Sequence, residues 1–394
     1  MMKKPPNIMF HNAHLYGPDR DWYPGWIATS GSLIWLMGAG NPPEFPIGTF
    51  EMMIDAKGKS LLPGFIDLHV HGAMGQDAMD ASLEGLQKMA GFYASHGVTS
   101  FLATTWAAKT EAIMKVLETY RGMIGPVEGG STLLGVHLEG PYLNSTRSGA
   151  QDPDMIQIAK QGEAEKFLDS GIIKIIDIAP EFPENLWLID ECVRRGITVS
   201  VGHSAANYDQ VKAAAVRGLK HATHTFNAMT QFGHRELGTV GAVMTIPEIS
   251  CELISDNIHV HPGAQKILIE VKGPEGVILV TDSTGGTGLP DGDLTINNRT
   301  FHIQEGATRL LDGTLAGSSL TMERALKNAI AASGIPLARA WRMSSLNAAR
   351  DIGVSSTKGS LEVGKDADLV LVDDDFEVIL TLVEGRVLYS LALL

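Results

Sequence analysis

Two histidines one residue apart, His69 and His71, close the run Pro63-Gly64-Phe65-Ile66-Asp67-Leu68-His69-Val70-His71-Gly72. The apolar residues Leu61 to Leu68 predict a buried strand bounded by proline and glycine. Alternate side chains of a strand share a face, so both imidazoles point the same way, about 7 Å apart along the backbone. Paired imidazoles on a rigid element can begin a metal site, although an isolated His-x-His fits two polar residues at a strand exit equally well. More donors follow: Glu139 in Leu138-Glu139-Gly140-Pro141-Tyr142, His203 in Val201-Gly202-His203-Ser204, and His224 in His221-Ala222-Thr223-His224-Thr225. Carboxylate oxygen with imidazole nitrogen suits zinc, iron or a similar divalent ion. Asp282, in Val280-Thr281-Asp282-Ser283, adds a second carboxylate and is the candidate general base and acid. His221, three residues before His224, would face the other side of a strand and is read as packing. His137 shares the face of Glu139 and is read as a packed histidine beneath it, while His11, His14, His96 and His302 are read as structural.

These residues need elements to position them, and the middle of the chain supplies an alternation. Strands are predicted at Leu62–Leu68, Val98–Ala103, Leu133–Leu138, Ile172–Ile178, Ile197–Val201, Leu219–Ala222, Ser250–Ile254 and Val277–Val280. Helical segments are predicted at Leu83–Ser95, Glu111–Met123, Asn185–Arg195, Tyr208–Arg217, Pro262–Val271 and Thr321–Ala332. This is the pattern of a (β/α)8 barrel, with a doubly wound sheet as competitor because alternation alone does not settle closure. The register of the reactive residues favours the barrel. His69/His71, Glu139, His203, His224 and Asp282 each end a predicted strand, so closure would gather them at one mouth. Both ends of the chain are different: Asn7–Leu15, Trp26–Met37 and Phe50–Ala56 at one end, Asp368–Val372, Glu377–Val383 and Arg386–Leu391 at the other, are strand-like pieces between turns. The expected fold is therefore α/β, a (β/α)8 TIM barrel over 62–358 with a small β-sandwich domain built from 1–61 and 359–394.

The bulk properties narrow the partners. With 394 residues, 44% hydrophobic and 19% charged, the chain has the balance of an ordinary globular protein with a sizeable core. A net charge of −14 argues against nucleic acid or an anionic membrane surface as partner. Cys192 and Cys251 form neither a ligand motif nor a disulfide framework, which suits a reducing compartment. No apolar h-region follows the first residues and no run approaches the roughly 18 apolar residues of a membrane helix, so the cytoplasm is the expected location.

Several short motifs occur in one order: the strand-one Pro-Gly-Phe-Ile-Asp-x-His-x-His-Gly, Leu-Glu-Gly-Pro-Tyr, Gly-His-Ser, Asn227-Ala228-Met229, His234-Arg235-Glu236, His259-Val260-His261, Thr281-Asp282, Leu315-Ala316-Gly317-Ser318 and Gly364-Lys365-Asp366-Ala367-Asp368. Together they resemble the amidohydrolase superfamily and, within it, the N-acetylglucosamine-6-phosphate deacetylase family, over almost the whole chain. The resemblance implies that Glu139, His203 and His224 hold the main metal, and that Asp282 takes a proton from water and returns it to the leaving amine. It implies Ala150, Gln151, Asn227, Ala228, Arg235, His259, Leu315, Ala316 and Gly317 as sugar-phosphate contacts, with Arg235 reaching the neighbouring site in a homodimer. The products would be acetate and an amino-sugar phosphate.

Three features depart from the family pattern. Some relatives lack the strand-one histidine pair and carry histidine at the position of Gln151; here the combination is reversed, which suggests a second ion held by His69 and His71 and bridged by Glu139, making one or two ions per chain. Asn257 stands where glycine is usual and is expected to shift the loop carrying His259. Ser283-Thr284 replace a usually apolar pair and are expected to alter the pocket floor. The alternatives are the same reaction on the galacto epimer, a cyclic-amide hydrolase using a carboxylated lysine, for which Lys174 is the only lysine in its strand, and an inactive binding relative, against which an intact Asp282 argues.

Overall fold

The computed structural model describes residues 4–296 and 299–391. Its central sheet is parallel and takes its strands in chain order: Phe65–Val70, Val98–Thr104, Thr132–Leu138, Ile173–Asp177, Thr198–Val201, Leu219–Ala222, Ser250–Leu253 and Val277–Leu279. Closure comes just past the last strand. Val70 bridges Ser283, His71 N–H donates to Ser283 O at 2.8 Å, and Asp282 N–H donates to His69 O at 2.9 Å. Every residue of the first two barrel strands is buried, as expected where helices cover one face and the barrel interior fills the other. The fold is a (β/α)8 barrel, and the residues that close it are the reactive ones.

The outer helices follow from local signals. In Leu83–Ser95 the Ser82 hydroxyl accepts from Gly85 N–H, and Leu86, Met89, Ala90, Tyr93 and Ala94 form the buried stripe. Tyr208–Arg217 opens with a reciprocal capping box between Asn207 and Gln210 and stops at Gly218, whose φ is 111°. Four helices were not expected from the pattern, two of them the short Leu337–Ala340 and Leu346–Asp351. Gly238–Thr245 is apolar on nearly all sides and so has no stripe to detect; Gln161–Leu168 is short and has no side-chain cap. A four-stranded antiparallel sheet, Gly292–Ile296, Arg299–Gln304, Ala307–Leu310 and Leu315–Ser318, is inserted between the last barrel strand and the helix Met322–Ser333, and it too was unexpected.

Both chain ends build the second β-structure. Ile8–Tyr16, Asp21–Ser30, Leu33–Ala39, Met52–Asp55 and Ser60–Pro63 share one sheet with Leu369–Val372, Val378–Val383 and Arg386–Ser390, around a core including Ile8, Phe10, Leu61, Leu369 and Leu380. This is the small β-sandwich. Two expected boundaries move. The run Trp26–Met37 is a hairpin, broken at Gly31 with φ 59°. Leu62 belongs to Ser60–Pro63 and pairs with Val370, so the first barrel strand begins only after Gly64, where an added Cβ would lie 2.2 Å from Thr99 Cγ2. Among the described residues, no helix is long and apolar enough to cross a membrane.

A buried ion cluster ties the C-terminal segment down. Lys358 Nζ lies 2.8 Å from Asp368 Oδ2 and 2.9 Å from Asp366 Oδ2, while Gly64 N–H donates to Asp368 O at the entrance of the barrel. Removing one partner leaves a buried charge uncompensated. Lys358→Met is expected to lower unfolding stability by about 3–5 kcal/mol, measured by denaturant titration; a loss below about 1 kcal/mol would mean that water reaches the carboxylates.

Candidate active site

The mouth of the barrel is shaped by unusual backbone at the strand ends. His203, His224 and Asp282 have φ of 46°, 31° and 50°, the left-handed region that non-glycine residues rarely adopt. Each follows its strand within a few residues, and the turn swings its side chain over the end of the barrel. Gly317 packs directly beneath: an added Cβ would lie 2.7 Å from Asp282 O and 2.4 Å from Thr284 Cγ2. Asp282 is therefore held on its main chain, by His69 O on one side and by Ser318 N–H, donating at 2.8 Å, on the other.

Glu139 is the centre of the cluster. Its Oε1 is 3.0 Å from His224 Nε2 and 3.1 Å from His203 Nε2; its Oε2 is 3.2 Å from His71 Nε2. His69 Nε2 lies 3.7 Å from Oε1 and 3.3 Å from His71 Nε2. Two overlapping donor sets result, Glu139–His203–His224 and His69–His71–Glu139. Asp282 Oδ1 stands over the second, 3.6 Å from His69 Nε2 and 3.5 Å from His71 Nε2.

The hydrogen bonds behind these atoms show that the sets fit a cation. His203 Nδ1–H donates to Arg147 O at 2.9 Å, and His69 Nδ1–H donates to Glu252 Oε2 at 3.0 Å. With those tautomers the facing Nε2 atoms carry lone pairs. Yet His203 Nε2 sits 3.0 Å from His224 Nε2, beside a carboxylate oxygen that is also an acceptor. Acceptors crowded about one point in a buried site form a donor set that could hold a cation. A third grouping, His69–His137–Glu252, differs: His137 spends its nitrogens on Leu68 O and Asp177 Oδ2, so it is a hydrogen-bonded support layer.

Electrostatics follow the same geometry. Burial opposes ionisation of Glu139, but His69, His203, His224 and His71 outweigh it and hold the carboxyl well below its usual range. Burial, reinforced by Glu139 and Glu252, pushes Asp282 well above the ordinary carboxylate value; a cation beside it would oppose that rise. His221 does not join the ligands. Its Nε2 bonds Glu252 at 3.0 Å and its Nδ1 lies 3.0 Å from Asp351 Oδ2; burial disfavours its charge, but Asp351 and Glu252 prevail and raise it to about 10. Glu252 thus orients His69 from below, anchored in turn by His221.

A cavity of about 200 Å³ opens over the cluster. Of the expected sugar contacts, Ala150, Gln151, Asn227, Ala228, His259, Leu315 and Gly317 line it, together with His71, Glu139, His203, His224 and Asp282. Ala316 is fully buried behind the lining, and Arg235 lies outside it in an exposed loop. Gln151 has both ends engaged: its Nε2 donates to Glu139 Oε2 at 2.6 Å and its Oε1 accepts from Ala107 N–H at 2.7 Å. His259 Nδ1 lies 2.6 Å from Asp256 Oδ2, which fixes the ring and leaves Nε2 for the cavity.

The other departures prove local. Asn257 has φ 68°, a conformation that glycine favours and asparagine tolerates, and its Oδ1 accepts from Gln265 Nε2 at 3.0 Å. His259, two residues on, lines the cavity. Ser283 and Thr284 do not line it: Ser283 Oγ is 3.3 Å from Tyr93 Oη and Thr284 Oγ1 is 3.3 Å from Thr308 Oγ1. Lys174 is likewise absent from the lining, and its Cγ would be 2.6 Å from a Cβ on Gly135. Sequence reasoning missed Trp106, Gly149 and Thr314 on the wall and Glu252 beneath it. Only Glu252 carried a signal, a lone carboxylate inside an apolar strand.

A (β/α)8 barrel with clustered imidazoles and carboxylates at the C-terminal ends of its strands is a barrel hydrolase, its donor set suited to a metal. The chain belongs to the amidohydrolase family, whose model matches residues 60–388. It is 38% identical to the N-acetylglucosamine-6-phosphate deacetylase of Bacillus subtilis (strain 168), over 88% of this chain and 89% of that one. It is 34% identical to the N-acetylgalactosamine-6-phosphate deacetylase of Escherichia coli O157:H7, over 83% and 87%. The crystal structure of N-acetylglucosamine-6-phosphate deacetylase from Pasteurella multocida superposes with a TM-score of 0.90 at 32% identity, covering 97% of this chain and 99% of that one.

Proposed function

We infer that this protein hydrolyses the acetamide of N-acetyl-D-glucosamine 6-phosphate to D-glucosamine 6-phosphate and acetate. The observation that carries this reading is the meeting of Glu139, His203, His224, His71 and Asp282 in a single cavity walled by Gln151, Asn227, Ala228 and His259, with His69 buried against Glu139 and His71. Glu139, His203 and His224 would hold the main divalent ion, zinc or iron, and His69 and His71 a second that shares Glu139. A bound ion there lowers the pKa of water toward neutrality and polarises the acetamide carbonyl. Asp282 takes the proton as water oxygen attacks the carbonyl carbon, then delivers it to the nitrogen as the C–N bond breaks. Gln151 is occupied by Glu139 and Ala107, so its part is to hold the bridging carboxylate rather than the substrate. His259, fixed by Asp256, offers a ring nitrogen to the sugar or its carbonyl.

The phosphate end calls for a cation that the cavity wall lacks: among the described residues, no lysine or arginine lines it. We assign that role to Arg235 of a second copy, making the working enzyme a homodimer. Charge-assisted hydrogen bonds are worth about 1.5–3 kcal/mol, so Arg235→Ala is expected to raise KM roughly 10- to 100-fold for the phosphorylated sugar and little for unphosphorylated N-acetylglucosamine. Equal effects on both would remove Arg235 from phosphate recognition. Cys192 and Cys251 are buried free thiols, in keeping with a reducing, cytoplasmic setting.

The galacto epimer is the second reading, favoured by the Escherichia coli relative. Acetate release measured on both epimers, with metal content read on the same sample, separates them. Preference for the gluco sugar supports the main assignment, preference for the galacto sugar replaces it, and no release from either by metal-loaded protein overturns both.

A further inference from the structure

The imidazoles of the cluster are not held alike. His69 and His203 are fixed through Nδ1, by Glu252 and by Arg147 O. His71 is almost fully buried, and its Nδ1 makes no close hydrogen bond; behind the ring it has only the main chain of Thr104, with no carboxylate or well-formed carbonyl contact like those that fix His69 and His203. What touches it is Trp106: the two rings stack with centroids 3.8 Å apart and planes inclined by 14°.

Trp106 is itself held firmly. It follows the second barrel strand, and its indole Nε1–H donates to Asp77 Oδ2 at 3.1 Å. Asp77 is buried and its other oxygen accepts from Met79 N–H at 2.8 Å. The guanidinium of Arg299, from the inserted antiparallel sheet, lies 5.3 Å from the Trp106 ring and bonds Ala150 O on the cavity wall. The next residue, Ala107, holds Gln151 and through it Glu139.

We propose that Trp106 is the positioning residue for His71: its stacked indole does what Glu252 does for His69, keeping Nε2 turned toward Glu139 Oε2 and Asp282 Oδ1. The proposal rests on the reading that His69, His71 and Glu139 hold a cation, and its consequence is for ion affinity before it is for rate. A supporting residue behind a ligand typically changes metal affinity by about 10- to 100-fold.

The test uses full-length apoprotein titrated with Zn²⁺ alone against a competing chelator, counting ions and affinities for wild type, Trp106→Ala, Trp106→Phe and His71→Ala. In wild type two ions are expected. Trp106→Ala should weaken one of them roughly 10- to 100-fold, the same one that His71→Ala abolishes, and leave the other within about twofold. Trp106→Phe keeps a ring on His71 and should restore most of the affinity, which a simple loss of packing elsewhere would not predict. Two results overturn the proposal: both ions bound by Trp106→Ala as in wild type, or a wild type whose ion count and affinities are unchanged by His71→Ala, leaving Trp106 nothing to position. Acetate release by wild type, assayed in parallel, reports separately on the deacetylase reading.

Discussion

Asp282→Asn is expected to lower kcat for acetate release by roughly a thousandfold while leaving the bound ions in place. Asparagine has nearly the same shape, and the turn that carries Asp282 is fixed by main-chain bonds to His69 and Ser318, so neither the φ of 50° nor the closure of the barrel depends on the carboxylate. What disappears is the carboxylate 3.6 and 3.5 Å from the His69 and His71 Nε2 atoms, a group that can accept a proton and give it back. A thousandfold corresponds to about 4 kcal/mol of transition-state stabilisation, within the range of a positioned acid–base group. KM should change little, because the amide of asparagine still fills the wall. Steady-state kinetics with metal analysis on the same preparation decide the matter. A variant retaining more than about a tenth of kcat would transfer the proton to another group, and His259 would be the first to examine.

The features that could be read from sequence are those encoded locally. A barrel strand carries its own apolar run, and a polar residue at its exit breaks that run, so the first barrel strand, Glu139, His203, His224 and Asp282 were all legible as residues that meet at one mouth. His221 faces away from the cluster, and strand alternation is not the whole cause. The strand ends at Ala222, and His224 beyond it is itself left-handed, with φ 31°, which turns its side chain over the barrel. His221 is also more than packing, since it anchors Glu252 beneath His69. Contacts made by tertiary packing left no mark on the sequence. Trp106 and Arg299 come from a loop and an inserted sheet nearly two hundred positions apart, and nothing local announces that they meet. The inserted sheet itself was invisible because its short strands, such as Gly292–Ile296 and Ala307–Leu310, alternate too briefly to stand out between the barrel's last strand and next helix.

Glu139→Gln should be more damaging than the loss of Asp282, because Glu139 is the one side chain common to both donor sets. Glutamine keeps an oxygen but places an N–H₂ among Nε2 lone pairs and removes the negative charge that a divalent ion needs beside neutral imidazoles. Its one oxygen cannot both accept from Gln151 and face the imidazoles, so either the wall or the donor cluster would loosen. Residues that act as a unit are not additive, and a kcat loss of roughly 10⁴-fold or more is expected, with ion content falling from both positions. The decisive readout is thermal stability. An ion bound at a hundred times its Kd stabilises the native state by about 2.7 kcal/mol, so chelator should lower the Tm of wild type and leave that of Glu139→Gln unmoved. A variant that still loses Tm on chelation would be holding an ion on His203 and His224 alone, and the carboxylate would then be a tether for Gln151 rather than the bridge on which the site is built.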